Sequence, residues 1–144
     1  AGNAGPSAGG LSRLRTGNKV VTVCCHDGMA YHRNPDSCED CSGRGPSGTV
    51  LKKPDLVAPG TKIMSCSADF RQTARGCRNA YVEKSGTSMS TPLVSGAIAL
   101  MLEKDPLLTN VEIKMLLRES TDDMGLPRNR QGWGKFNFHK FMNL

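Results

Sequence analysis

The residue in this sequence best placed to do chemistry is Ser88, which follows Gly86-Thr87 and stands just before a long apolar segment. A hydroxyl delivered by a loop to the start of a helix meets free backbone N–H groups and the positive end of the helix dipole. Both stabilise an oxyanion forming beside it. A preceding glycine lets the backbone of a substrate come close. The same position also suits a serine that merely caps the helix, and Ser88 taken alone fits both descriptions. Asn3, in Ala1-Gly-Asn-Ala-Gly-Pro6, reads by itself as a turn residue. Of the histidines, His26 and His32 fall in a polar stretch and read as surface residues, and His139 falls in the closing segment. Neighbouring side chains on extended chain point to opposite sides, so His26-Asp27 is poorly arranged as a base with its orienting carboxylate.

The cysteines are Cys24, Cys25, Cys38, Cys41, Cys66 and Cys77. Cys38-Glu-Asp-Cys41 has the spacing of one half of a zinc site but lacks a second pair, and adjacent Cys24-Cys25 would face opposite ways on a strand. No metal is expected. A 66–77 disulfide is an option, while the adjacent pair reads as reduced, partly buried thiols. That reading points to the cytoplasm, with secretion as the alternative.

These side chains must be positioned by elements that the sequence marks unevenly. Ala1 to Gly10 is nearly all Gly, Ala, Ser, Asn and Pro and reads as loop. Lys19 to Cys24 reads as a buried strand, and His26 to Gly48 as an irregular polar excursion. Asp55-Leu-Val-Ala-Pro-Gly60 and Thr61 to Ser65 read as strand, turn, strand, followed by a loop from Cys66 to Asn79 and a short strand at Tyr81 to Lys84. Ser88 to Lys104 is apolar on nearly every side and predicts a buried helix, with Pro92 tolerated if it falls in the first turn. Thr109 and Glu112 form the pattern of a capping box for a second helix striped by Ile113, Leu116 and Leu117. Gln131 to Gly134 reads as a turn, and Phe136, Phe138 and Phe141 mark a last strand and short helix.

The string Gly86-Thr-Ser-Met-Ser-Thr-Pro-Leu-Val-Ser-Gly96 resembles the nucleophile motif of subtilisin-like serine peptidases, G-T-S-M-A-x-P-x-V-x-G, departing chiefly where Ser90 replaces alanine. Three further stretches agree in order: Ala1 to Pro6 is similar to the family's oxyanion loop, Lys53 to Gly60 to its P-D-x-x-A-P-G segment, and Gly132-Trp-Gly134 to its closing turn. The resemblance implies an α/β subtilisin-like three-layer fold with a mainly parallel sheet, of which this chain carries the C-terminal part. It implies Ser88 as the acylated nucleophile and Asn3 as oxyanion donor together with the Ser88 N–H. It also implies Ala1, Gly2, Gly86 and Thr87 as substrate-binding positions.

In this family the asparagine loop falls between the catalytic histidine and serine, and the triad runs aspartate, histidine, serine. Asn3 opens the sequence, and nothing in it resembles the aspartate or histidine motif. The resemblance therefore places residues 1–144 as the C-terminal portion of a catalytic domain, inert until an upstream half supplies a base. The alternative is a pseudoprotease or peptide-binding module. No cofactor is expected, with calcium an option for the complete domain. The expected partners are a peptide or protein substrate, the upstream half, and further copies of the chain through an open sheet edge.

Composition agrees with one globular unit: 144 residues, 38% hydrophobic and 22% charged. The formal charge of +6 is scattered without a dense basic run, and 5% aromatics give few platforms for stacking bases, so nucleic acid is not expected. The longest strongly apolar stretch, Leu93 to Leu102, is far shorter than the roughly 20 residues of a membrane-spanning helix.

Overall fold

The computed structural model describes residues 1–5, 10–11, 17–27, 42–46, 53–73 and 76–144, and the structural statements below concern these residues. A four-stranded sheet contains β1 (Val23–His26), β2 (Leu56–Pro59), β7 (Thr121–Asp122) and β8 (Lys135–Phe136), in the order β1-β2-β8-β7. β1 runs parallel to β2, with Val23 opposite Leu56 and Cys25 opposite Ala58. β2 runs parallel to β8, and only the β7–β8 pair is antiparallel. All four residues of β1 are buried, the continuous pattern of a parallel strand covered on both faces. The strand begins later than the apolar run suggests. Val20 turns back on Gly17 through a backbone hydrogen bond and is 44% exposed, and the ladder starts only where β2 offers partners.

α1 (Thr87–Lys104) lies across β1 and β2. Its buried residues, Thr87, Ser90, Val94, Ala97 and Met101, recur at three and four residues and form one stripe. The expectation of a helix buried all round is therefore corrected. Leu93 and Leu100 are 43% and 46% exposed, because the sheet covers only one side of the helix. The first-turn account of Pro92 also fails. With the helix starting at Thr87, Pro92 stands inside it, where the ring nitrogen cannot donate to the carbonyl of Ser88.

α2 (Asn110–Glu119) is capped by Thr109, with the Thr109–Glu112 capping box complete. Its Ile113 and Leu117 join Val23, Leu56, Ala58, Val94, Ala97, Met101 and Phe141 in one core. Phe141 comes from α4 (Phe138–Met142) and meets Phe136 edge to face at 5.6 Å. A short α3 (Arg128–Gln131) precedes the turn through Trp133.

A two-stranded ribbon of β3 (Ile63–Cys66) and β6 (Tyr81–Lys84) runs into α1. Between its strands, where the polar sequence reads as loop, the chain forms a hairpin of β4 (Arg71–Thr73) and β5 (Gly76–Arg78). Cys66 stands opposite Tyr81 in one ladder and Cys77 opposite Gln72 in the other, so the register holds these cysteines apart, and both are exposed free thiols. Cys24 is a buried free thiol, whereas Cys25 is disulfide-bonded, its partner lying outside the described residues. The reading of an adjacent reduced pair is thus half corrected. His32, Cys38, Cys41 and most of the His26–Gly48 excursion also lie outside the described residues. Among the described residues no helix is long and apolar enough to cross a membrane.

Candidate active site

α1 begins at Thr87, and Gly86 is its N-cap at φ 136°, a backbone conformation that favours glycine. Ser88 is therefore the second helical residue rather than the cap. Its side chain is exposed while Gly86 and Thr87 on either side of its approach are buried. Gly86 is held from below, its N–H donating to the carbonyl of Gly60 at 2.8 Å. Gly60 has no room for a side chain, since a Cβ there would meet Cys25 Cβ at 2.6 Å and the Gly86 carbonyl at 2.9 Å. The end of β2 and the start of α1 are thus in backbone contact.

Ser90, the departure from the family motif, is fully buried and donates its hydroxyl to the carbonyl of Ala58 at 3.0 Å. It joins the first turn of α1 to β2, a role that alanine at this position would lack.

Asn3 arrives at the same helix end from the far end of the chain. Its Oδ1 accepts from the backbone N–H of Thr87 at 3.2 Å and from the Thr87 hydroxyl at 3.1 Å. A backbone N–H only donates, so the atom facing it is the amide oxygen, and the amide nitrogen is turned away. That nitrogen lies over Gly86, 3.1 Å from where a Cβ would stand. The loop is anchored throughout: the Gly2 N–H donates to the Thr87 hydroxyl at 3.1 Å, the Gly43 N–H to the Gly2 carbonyl at 2.7 Å, and the Ala1 backbone nitrogen to the Val23 carbonyl at 2.7 Å. The structure thus brings together Ala1, Gly2, Asn3, Gly86, Thr87 and Ser88. Of the first N–H groups of α1, that of Thr87 is taken by Asn3 and that of Met89 by the Gly86 carbonyl, and the Ser88 N–H stands between them at the positive end of the helix.

The histidines stand differently. His26 is not the surface residue that the sequence suggests but the buried last residue of β1. Burial first, and then the charge of Lys135, push its pKa down to about 4. A ring so depressed is neutral near pH 7 and a poor base. His139 lies in α4, whose Met142 carbonyl accepts from Lys104 at the last turn of α1. Ser88 is at the other end of that helix, about 24 Å away at about 1.5 Å per residue.

What sequence reading missed is a polar joint at the start of β2, the end of the strand away from Gly60 and this site. Asp55 accepts from the Thr22 N–H at 2.6 Å and from Lys53 at 2.5 Å, and Lys114 approaches its other oxygen at 3.5 Å. The Asp55 carbonyl accepts from the Trp133 N–H at 2.6 Å. One residue of the P-D-x-x-A-P-G-like segment therefore ties β2 to the chain entering β1 and to the closing turn. A charged residue amid apolar ones was the available signal.

The subtilase family model matches residues 1–134. The serine protease AprX of Bacillus subtilis is 36% identical over 128 residues, covering 85% of this chain and 29% of that protein. Subtilisin BL of Lederbergia lenta is 37% identical over 83 residues, 58% of this chain and 27% of that protein. The Clostridium perfringens CspB protease superposes with a TM-score of 0.73 at 30% identity, over 95% of this chain and 28% of that one. The S41 psychrophilic protease does so with a TM-score of 0.75 at 26% identity, over 95% and 46%. The chain thus spans less than half the length of each of these proteins, and its mixed α/β architecture is the subtilisin-like one. By the match of the family model over nearly its whole length, this chain belongs to the subtilase family.

Proposed function

We propose that this chain supplies the nucleophile and oxyanion donors of a serine endopeptidase, and that an upstream half of the same catalytic domain supplies the aspartate and histidine. The observation that carries the reading is the Asn3 amide, held by Thr87 through its oxygen with its nitrogen over Gly86 at the helix end that bears Ser88. In this reading Ser88 Oγ attacks the scissile carbonyl carbon while its proton passes to the upstream histidine. The carbonyl oxygen, now negative, accepts from Asn3 Nδ2 and the Ser88 N–H. Collapse expels the amine, which takes the proton, and water then hydrolyses the acyl-enzyme by the same steps. Ala1, Gly2, Gly86 and Thr87 border the substrate backbone.

Two features support completion by another segment: the exposed apolar side of α1 and, among the described residues, the place of β1 at the end of the sheet order. The test is labelling by a fluorophosphonate. The complete polypeptide is labelled and cleaves peptides, both lost on Ser88→Ala, and residues 1–144 alone are not labelled. Peptide binding without cleavage by the complete polypeptide would instead favour a pseudoprotease, and stoichiometric labelling of the isolated chain would show that its serine needs no upstream base.

A further inference from the structure

β4 and β5, the hairpin carried between the strands of the β3–β6 ribbon, are exposed at every residue. In their antiparallel register Arg71 stands directly opposite Arg78 and Thr73 opposite Gly76, so the two arginine side chains rise from one face of the hairpin, about 5 Å apart at their bases. The hairpin is closed by the Thr73 hydroxyl, which donates to the Gly76 carbonyl at 2.7 Å. From Phe70 to Asn79 the sequence holds three arginines and no carboxylate.

Among the described residues neither Arg71 nor Arg78 makes a hydrogen bond or ion pair. The nearest carboxylate along the chain, Asp69, is paired with neither, and its own N–H donates to the Ser67 hydroxyl at 3.1 Å. Glu83 lies on the ribbon, opposite Met64. Like charges directly opposite each other destabilise a ladder. Guarding a sheet edge against aggregation needs a charge on each strand but not two of them face to face. An anion between the two guanidinium groups turns the repulsion into two attractions, and the planar fork of each matches a carboxylate. The backbone narrows the choice of anion. Among the described residues each strand of this sheet pairs only with the other, so both outer edges offer backbone donors and acceptors. An extended peptide complements such an edge and turns every second side chain to the same face, which a nucleic acid does not.

We propose that the β4–β5 hairpin is a docking arm for an acidic, extended polypeptide segment, whose backbone lies along an open edge of the hairpin and whose carboxylates pair with Arg71 and Arg78. The arm shares no residue with the Asn3–Ser88 site, and its binding does not depend on the peptidase reaction.

The probe is a fluorescein-labelled octapeptide of alternating Glu and Thr, titrated at low ionic strength by fluorescence anisotropy with the complete polypeptide carrying Ser88→Ala, so that the peptide is not cleaved. Saturable binding is expected. Arg71→Gln with Arg78→Gln should weaken it at least about fivefold, the scale of two exposed ion pairs, while Arg118→Gln on the exposed side of α2 leaves it unchanged. Both hairpin arginines are exposed, so the double variant should keep a Tm no lower than that of its parent. An octapeptide of alternating Glu and Pro carries the same charge but lacks half the backbone donors, and it should bind more weakly. Absence of saturable binding of the Glu-Thr peptide, affinity indifferent to both arginines, or equal affinity for the Glu-Pro peptide overturns the proposal. So does equally tight binding of a single-stranded DNA of the same charge, which would mark a patch for polyanions in general.

Discussion

At the scale of single residues, Thr87 and Asn3 act as one unit. The Thr87 hydroxyl accepts from Gly2 and donates to Asn3 Oδ1, so it turns the amide that would meet the oxyanion. In the complete enzyme Asn3→Ala should lower kcat by roughly 10²–10³ with little change in KM, the loss measured for one such donor in subtilisin itself. Thr87→Val should cost less, and adding it to Asn3→Ala should cost almost nothing more, because its effect passes through the amide. Steady-state kinetics of the three variants on a peptide anilide decide this, and full additivity would mean that Thr87 acts by another route. His26 makes a separate prediction. Its folded pKa of about 4 lies below the ordinary 6.5, so between these values the unfolded chain binds more protons than the folded one. Stability should therefore be intact above about pH 6.5 and fall as pH drops towards 4, and the fall should be shallower in His26→Gln. Urea titrations across that range test it. Ser88 and Asn3 were legible in the sequence through the resemblance, but the hydrogen bonds by which Thr87 holds Asn3 were not, because they span 84 positions. The burial of His26 was masked by the polar residues that follow it.

At the scale of elements, what could be read was what local chemistry decides. The Thr109–Glu112 capping box needs only residues three apart, and it is present as the sequence predicts. The β4–β5 hairpin was missed because its exposed, polar strands carry no alternation of apolar side chains. The start of β1 was misplaced because a strand needs a partner as well as β-branched residues, and β2 offers one only from Val23. The joint between β1, β2 and the closing turn depends on Asp55. Its carboxylate is buried against Lys53, with side-chain exposure of 4% for each, and it also receives the Thr22 N–H. Asp55→Asn keeps the shape but leaves Lys53 as a buried cation without its counter-charge. Breaking such a pair from one side costs roughly 3–5 kcal/mol, so the variant should unfold at markedly lower denaturant with an unchanged m-value. A shift below about 1 kcal/mol would mean that the Lys53 ammonium is satisfied by the Val20 carbonyl, which it already contacts at 2.7 Å.

At the scale of the whole molecule, the sequence describes more than this chain encloses. The apolar run from Leu93 to Leu102 is that of a helix covered on all sides, yet the sheet reaches only the stripe through Val94, Ala97 and Met101. The opposite side leaves Leu93 and Leu100 open, and α2 adds Val111 and Met115 at 66% and 56% exposure. Among the described residues β1, rich in core residues, stands at the end of the sheet order rather than inside it. An apolar helix face and a strand edge are each association signals, because both are lowered in free energy by any partner that excludes water or supplies backbone donors and acceptors. Residues 1–144 expressed alone should therefore self-associate, and an upstream half supplied in trans should compete with that association, since both would cover the same surfaces. Light scattering over a series of dilutions measures the first effect, and repeating it with increasing upstream fragment measures the second. Leu93→Lys with Leu100→Lys should reduce self-association of the isolated chain without unfolding it, because neither side chain contributes to the core. A cooperatively unfolding monomer at micromolar concentration would mean that the open side of α1 is tolerated in water, and that the reading of this chain as half of a domain is wrong.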